Sequence, residues 1–207
     1  TSSAGAASPT HTVGATSGTR RCGCARGTKT MSTAGAAWLA EFDSFPEAGW
    51  DKVMDLNVKS LFFLTQKLFP LLKAAGSFDR PAKVINIASI DGLRPNPWDT
   101  YSYQASKAAV IHLTKRMAAE LIKDNIVVSC IAPGAYPSEM NKAAAKNPEG
   151  SARGIPSKRI GVAEDIAGGA IYLASRAGDY VVGTTIPIDG GIVNAWIPSE
   201  FNDPSGH

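Results

Sequence analysis

Cysteine is scarce in this chain, which has only three among 207 residues: Cys22, Cys24 and Cys130. Three thiols cannot build the disulfide framework of a small secreted domain, so the fold must be held by its core. Cys22 and Cys24 have the close spacing of a metal-binding pair, but the sequence offers no second pair, and His11 is isolated. We therefore predict no metal site and expect a reduced, cytoplasmic protein.

Blocks of like charge and long apolar runs are also missing. The 21 Lys and Arg against 18 Asp and Glu give a formal net charge of +3, and the basic residues are scattered. Without a basic stripe, nucleic acid is not an expected partner. The longest apolar stretch, residues 61–72, contains Gln66 and Lys67 and is shorter than the roughly 20 apolar residues of a membrane helix. No charged segment followed by an apolar one opens the chain, so we expect neither secretion nor a membrane.

Large aliphatic side chains are almost absent from residues 1–30, where Val13 is the only one. Such a segment cannot bury enough apolar surface to offset its ordering entropy, which predicts a disordered or non-native tail. Within it, "VGATSGTR" resembles a glycine-rich phosphate loop, but no apolar strand precedes it and Arg20 stands where a third glycine is needed. A flexible tail is favoured over a phosphate site.

Strands and helices alternate over residues 31–196. Ser44-Phe45-Pro46-Glu47 is the pattern of a capping box with proline in the first turn, and apolar residues then recur every three or four positions to about residue 72. We predict buried strands in "AKVINIAS", "NIVVSCIAPG" and "TTIPIDGG", and helices over 103–123, with a stripe of Ala109, Leu113, Met117 and Leu121, and in "VAEDIAGGAIYLAS". The polar residues 138–160 are expected to be mobile. This order predicts a single α/β domain with a doubly wound parallel sheet, followed by a C-terminal tail at 197–207.

Three features meet where such a sheet binds its ligands, at the carboxyl ends of the strands: Ser89 ends one strand, Pro133-Gly134 ends the next, and Tyr103 opens the helix between them. Tyr103 and Lys107 are four residues apart and therefore share a helix face, and Ser89 ends a strand. A nearby ammonium lowers the pKa of a phenol, which ordinarily lies near 10, and a serine hydroxyl can hold a substrate oxygen. This set can move a proton while a cofactor moves a hydride. Taken singly, each residue favours a structural explanation: a helix-end tyrosine, a solvated lysine, a strand-end cap and, for Asn57, a bend in a helix.

In combination, the segments "MDLNVKSLFFLTQ", "VINIASIDG", "YSYQASKAAVIHLTKRMAAEL" and "CIAPGAYPSEM" resemble the short-chain dehydrogenase/reductase family over about residues 32–194. The resemblance is nearest to the 3-oxoacyl-(acyl-carrier-protein) reductases of the rhamnolipid-synthesis type. It implies a Rossmann-like domain and an NADP- or NAD-dependent reduction of a ketone or acyl thioester. It also implies that Tyr103 is the general acid, that Lys107 lowers its pKa and holds the nicotinamide ribose, that Ser89 orients the carbonyl, and that Asn57 supports a water. The implied cofactor contacts are Ala34, Gly35, Tyr103, Lys107, Pro133, Gly134, Tyr136 and Ser138.

The chain departs from the family pattern at its beginning. "STAG" stands where the family has an "NNAG" turn, only 31 residues precede it, and "CARGTKTM" replaces the apolar strand expected before it. We therefore expect an N-terminally truncated domain that lacks the adenine- and pyrophosphate-binding half. Two hypotheses follow: an active reductase, or a cofactor-free fragment that acts only through oligomerisation. Family members usually pair through the helices of Asn57 and Tyr103 and through the "TTIPIDGG" strand, which implies a homodimer or homotetramer.

Overall fold

The computed structural model describes residues 29–32, 35–138 and 141–195, and this part of the chain builds a parallel sheet with helices on both faces. The strands are β1 (Lys29–Ser32), β2 (Ala82–Ile87), β3 (Ile126–Pro133) and β4 (Thr185–Ile188). The helices are α1 (Glu47–Met54), α2 (Ser60–Ala75), α3 (Tyr101–Leu121), α4 (Lys142–Lys146), α5 (Pro148–Ala152) and α6 (Ala163–Ala174). Most of residues 1–30, the whole tail at 197–207 and the "VGATSGTR" segment lie outside the described residues.

The four strands lie side by side in the order β1-β2-β3-β4, and every neighbouring pair is parallel. Their carboxyl ends therefore share one edge of the sheet, as the sequence predicts. The prediction that no strand leads into the "STAG" turn was wrong, because β1 pairs with β2 from Lys29↔Lys83 to Ser32↔Asn86. Its four residues carry a single apolar side chain, so pairing with β2, rather than local hydrophobicity, fixes this strand.

Two apolar cores cover the two faces of the sheet. On one face, Val84 and Val128 of the strands pack with Leu72 of α2 and with Val110 and Met117 of α3. On the other face, a smaller core joins Ile85 and Ile131 to Leu173 of α6. Alternate residues of β2 and β3 point to opposite faces, which is why both strands read as continuous apolar runs. This is the predicted Rossmann-like, doubly wound α/β architecture.

The helix that carries Asn57 begins later than predicted and contains an irregular turn. Pro46, not Ser44, is its N-cap, and no side chain caps it. Ser44 lies instead in a short 3₁₀ turn, Phe42–Ser44. Between α1 and α2 the chain continues through a π-helical turn, Asp55–Lys59, and π turns of this kind often occur at functional sites.

The later helices also differ in detail from the expectation. Helix α3 starts two residues earlier than predicted, at Tyr101, and its most buried face runs through Val110, Thr114 and Ala118 as well as Met117 of the predicted stripe. Residues 138–160 are not uniformly irregular, since they include α4 and α5 and bury Ala144, Ala152 and Ile155. Within the described residues, no helix combines the length and the apolar character needed to cross a membrane.

Candidate active site

Ser89 and Tyr103 meet at the carboxyl edge of the sheet. Ser89 follows β2 and caps the 3₁₀ turn Ile90–Gly92, accepting a hydrogen bond from the Asp91 N–H at 3.2 Å. Because the Ser89 oxygen already accepts this bond, its hydroxyl hydrogen is free to donate, and Ser89 lowers the pKa of the nearby Tyr103 phenol. Both residues thus stand at the edge of the sheet where the strands end.

Lys107 lies one helical turn beyond Tyr103 and is almost completely buried, with 4% of its surface exposed. Its ammonium donates to the Ile87 carbonyl oxygen at 3.2 Å and lies 5.5 Å from the centroid of the Tyr103 ring. Burial lowers the pKa of Lys107 to about 8, while nearby Cys130 and Asp91 act in the opposite direction. Lys107 is therefore not a solvated surface lysine.

The expected lowering of the phenol pKa is not what the chain alone produces. Burial raises the pKa of Tyr103 to about 12, the Ser89 hydrogen bond opposes this, and the Asp91 carboxylate adds to it. The sequence pattern predicts that the Lys107 ammonium lies near the Tyr103 phenol. It does not reveal that the phenol is also removed from water. Desolvation disfavours the phenolate and here exceeds the effect of its neighbours.

The Asn57 side chain links the chain after β1 to helix α3 through three hydrogen bonds, which we call the Asn57 clamp. Its carboxamide oxygen accepts from the Ala36 N–H at 2.8 Å, and its nitrogen donates to the Ala36 carbonyl at 2.9 Å and to the Ser106 hydroxyl at 2.8 Å. Ser106 in turn donates to the Tyr103 carbonyl oxygen at 2.7 Å. Both amide hydrogens of Asn57 are thus used within the protein, and its side chain is connected through Ser106 to the Tyr103 backbone.

The other predicted cofactor contacts lie along the same edge. Gly35 directly precedes the clamped Ala36 and is half-buried, whereas Ala34 lies outside the described residues. Pro133 ends β3, and Gly134 donates to the Ile188 carbonyl at 3.0 Å. A side chain at Gly134 would come within 2.7 Å of Asp189, so glycine is needed for the two strand ends to approach.

Tyr136 and Ser138 follow β3, and neither side chain joins the Ser89–Tyr103 pair. The Tyr136 hydroxyl donates to the Ile188 carbonyl at 3.1 Å, and burial raises the pKa of this phenol to about 12. It lines a pocket of about 100 Å³ together with Arg159 and Asp165. The Ser138 side chain is exposed and accepts from the Asn141 N–H at 3.0 Å.

The described residues fit the nicotinamide end of a dinucleotide cofactor. An ammonium has three donors, and the Ile87 carbonyl takes one from Lys107, which leaves two buried donors suited to ribose hydroxyl groups. Groups for the pyrophosphate are not found among the described residues, and the one candidate loop of the sequence lies outside them. The fit therefore concerns one half of the cofactor.

Sequence reasoning missed two residues that position the site. The Ser106 hydroxyl accepts from Asn57 and donates to the Tyr103 carbonyl, so it connects these two residues. A serine inside a helix gives no sign of such a role in the sequence. Gly92 packs on α3, where a side chain would come within 2.5 Å of the Lys107 backbone. Its place in the "DGLRPNP" loop indicates a turn, and only the tertiary contact shows why glycine is required there.

The chain is similar to known proteins over most of its length. A family model described as Enoyl-(Acyl carrier protein) reductase matches residues 30–193. The chain is 44% identical over 164 residues to the rhamnolipids biosynthesis 3-oxoacyl-[acyl-carrier-protein] reductase of Pseudomonas aeruginosa, covering 78% of this chain and 64% of the relative. It is 40% identical over 168 residues to the 2-dehydro-3-deoxy-D-gluconate 5-dehydrogenase of Escherichia coli, covering 78% and 63%. The chain thus spans a little under two thirds of the length of these relatives.

Solved structures show the same likeness. The Pseudomonas aeruginosa RhlG/NADP active-site complex matches with a TM-score of 0.77 and 43% identity, over 81% of this chain and 67% of that one. A gluconate 5-dehydrogenase from Burkholderia cenocepacia, in complex with NADP and tartrate, matches with a TM-score of 0.73 and 32% identity, over 80% and 64%. The family model covers most of the chain, and the identities to these relatives are high. This chain therefore belongs to the short-chain dehydrogenase/reductase family.

Proposed function

We propose that the chain is the catalytic part of an NADPH-dependent oxidoreductase that reduces a ketone, in particular a 3-oxoacyl thioester, to a secondary alcohol. The observation that carries the proposal is the buried Lys107 ammonium 5.5 Å from the centroid of the Tyr103 ring, with Ser89 at the same edge of the sheet. The names of the relatives support the substrate class, and their NADP complexes support NADP ahead of NAD.

The chain's own residues would orient the ketone and supply its proton. The Ser89 and Tyr103 hydroxyl groups both donate to the carbonyl oxygen, which aligns it and stabilises the charge that develops there. A reduced nicotinamide, when bound, supplies the hydride. Tyr103 then transfers its phenolic proton to the alkoxide oxygen, which is a far stronger base than a phenolate, so a raised phenol pKa still permits this step. The Lys107 ammonium stabilises the phenolate that remains.

Lys107 would also hold the nicotinamide ribose through its two remaining donors, next to Gly35 and the backbone of Pro133, Gly134 and Tyr136. Ser138 would close on the same end of the cofactor. Together with Ala34, these are the cofactor contacts that the family resemblance implies. Asn57 supports the site as a positioning residue through Ala36 and Ser106.

The proposal is tested by NADPH titration calorimetry on the full chain, followed by turnover of a 3-oxoacyl thioester. We expect saturable binding and a turnover that Tyr103→Phe reduces by a factor of about 10² to 10⁴, as for loss of a general acid. Tyr180→Phe is the matched control, because the Tyr180 side chain is 98% exposed. Equal rates for Tyr103→Phe and Tyr180→Phe would refute the assignment of Tyr103. A folded chain that binds no NADPH would favour the alternative of a cofactor-free fragment acting through oligomerisation.

Oligomerisation and location are proposed on separate grounds. Helix α2 exposes Phe62, Phe63 and Leu71 by 39%, 44% and 62%, and apolar surface of this kind marks interfaces, here between copies of this chain in a homodimer or homotetramer. A cytoplasmic location stays a prediction, supported by the free, buried thiol of Cys130.

A further inference from the structure

The turn that follows β4, residues 189–195, is held by a single carboxylate. Asp189 accepts from the Gly191 N–H at 2.8 Å and from the Val193 N–H at 2.7 Å. Gly190 and Gly191 both have positive φ angles, 68° and 97°, a conformation that glycine adopts without strain. The turn is therefore a defined structure with a local cause, and we refer to it as the Asp189 turn.

Residues 155–157 dock directly on the Asp189 turn. The Ser157 N–H donates to the Gly190 carbonyl at 3.0 Å. Ile155 is 4% exposed, and a side chain at Gly190 would collide with it, while one at Gly191 would come within 3.2 Å of Pro156. This contact fixes the end of the segment that begins at Ser138, which is one of the proposed cofactor contacts.

Arg94 also contacts the Asp189 turn. It lies five residues after Ser89, and its own N–H donates to the Ile90 carbonyl at 3.0 Å in the turn that Ser89 caps. Its guanidinium donates to the Ile192 carbonyl at 2.7 Å, across 98 residues of sequence. Hydrogen bonds from a charged donor are among the stronger ones in proteins, and a partly buried one resists competition from water.

We propose that Arg94 is a positioning residue that couples the loop of Ser89 to the Asp189 turn and, through that turn, to residues 155–157. The coupling makes the placement of the carbonyl-orienting hydroxyl depend on the docking of the segment that follows the cofactor contacts. The functional meaning of this coupling rests on the proposed reductase activity. The coupling itself does not, because every contact in it belongs to the chain alone.

Hydrogen exchange on the full chain tests the coupling without cofactor or substrate. In Arg94→Met, which keeps the apolar stem and removes the guanidinium, we expect the amides of Gly92, Leu93, Gly191 and Val193 to exchange about tenfold faster or more, as for loss of a charge-assisted hydrogen bond. Arg116→Met is the matched control, because Arg116 is exposed and pairs with Glu120 one turn away on the same helix. Exchange in Arg94→Met that equals exchange in Arg116→Met would overturn the proposal. Arg94→Lys, which retains a shorter charged donor, should give intermediate protection and serves if Arg94→Met does not fold.

A second comparison separates coupling from a purely local effect. Ile155→Ala removes most of the side chain that packs against the Asp189 turn. Ile155 is far from Ser89 in the sequence. We expect it to speed exchange at Gly92 and Leu93 when Arg94 is present and to add nothing in Arg94→Met, since the connection is then already broken. Equal acceleration in both backgrounds would contradict the coupling. In the turnover assay, Arg94→Met should lower kcat more than it changes the KM for the ketone. Changed exchange with no measurable turnover in any variant would reject the reductase proposal and leave the coupling intact.

Discussion

Tyr103 is half-buried beside the fully buried Lys107, and the loss of water shifts both pKa values toward the neutral form. The pKa of the phenol rises to about 12, and that of the ammonium falls to about 8. The protein therefore keeps a protonated phenol beside an amine that is still mostly charged at neutral pH. Such perturbed pairs occur at functional sites more often than elsewhere, because holding them costs stability.

The buried ammonium of Lys107 predicts a rise in stability with pH. Its pKa is about 8 in the folded state and 10.5 when unfolded, so between these values the unfolded chain binds more protons. Stability should therefore increase from pH 8 toward 10.5, with a gain of about 2 kcal/mol between about pH 7 and 9.5. Above pH 10 the raised pKa of Tyr103 acts in the opposite direction, because the unfolded phenol ionises first. Urea unfolding at several pH values measures this dependence.

Lys107→Met supplies the control, since it keeps a side chain of similar length and removes the titrating group. The variant should lose the gain in unfolding free energy between pH 7 and 9.5, whatever its absolute stability. Lys115→Met, an exposed change on the same helix, should keep the gain. If the unfolding free energies of the natural chain, Lys107→Met and Lys115→Met change with pH in the same way, Lys107 is not the group responsible.

At the scale of elements, the π-helical turn at Asp55–Lys59 places Asn57 between two other segments. The turn directs the Asn57 side chain to Ala36, after β1, and to Ser106, within α3. Because Asn57 is 2% exposed, each of these hydrogen bonds is shielded from water. One side chain thereby ties three elements together at the edge that carries the site.

Asn57→Ala should destabilise the protein by about 3 kcal/mol, because it leaves the Ala36 N–H and carbonyl and the Ser106 hydroxyl without their partner in a buried place. Gln66→Ala, an exposed change on α2, should alter stability by less than about 0.5 kcal/mol. Chemical denaturation of both variants gives the comparison. A small effect of Asn57→Ala, similar to that of Gln66→Ala, would mean that the clamp is not a significant source of stability.

The turn after Ser89 depends on a close approach to α3 at Gly92. A methyl group there would come within 2.5 Å of the Lys107 carbonyl carbon, so Gly92→Ala must move either the Ser89 turn or the helix. We expect a loss of about 1–3 kcal/mol, typical of overpacking, together with reduced turnover if the reductase proposal holds. Thermal or urea unfolding measures the first effect.

Gly168→Ala is the control for this change, because a side chain at Gly168 meets nothing within 4 Å and the residue lies inside α6. Alanine is the better helix former, so the variant should be more stable by about 0.5–1 kcal/mol. We therefore expect the unfolding free energy to fall in Gly92→Ala and to rise in Gly168→Ala. A Gly92→Ala protein as stable as the natural chain would show that the turn can shift at no cost.

The sequence predicts most of the elements because their patterns are local. The apolar runs of β2, β3 and β4 and the spacing of Tyr103 and Lys107 on a helix follow directly from residue order. The strand β1 was missed because its four residues are stabilised by pairing with β2, which no local pattern records. Ser106 and Gly92 were missed for a related reason, since their roles exist only once α3 has packed against its neighbours.

At the scale of the whole molecule, the two faces of the sheet are covered unequally. Among the described residues, the face packed by α2 and α3 holds a core of twelve buried residues, whereas the face packed by α6 has three buried residues with half-buried ones around them. On the larger face the helices themselves remain partly apolar outside, with Phe62 and Phe63 stacked edge to face at 5.3 Å on the surface of α2. The same helix thus contributes to the core and to an exposed apolar surface.

That exposed surface leads to a prediction about assembly. If α2 pairs with a second copy, the natural chain should be a dimer or tetramer by light scattering, and its size should hold over about a hundredfold range of concentration. Phe63→Glu should shift the protein toward monomer, because a carboxylate would be buried without a partner at the interface. Gln66→Glu adds the same charge at an exposed polar position of the same helix and should leave the size unchanged if that position lies outside the interface. A natural chain that is monomeric at all concentrations would contradict the pairing of α2, and the exposed phenylalanines would then need a different partner.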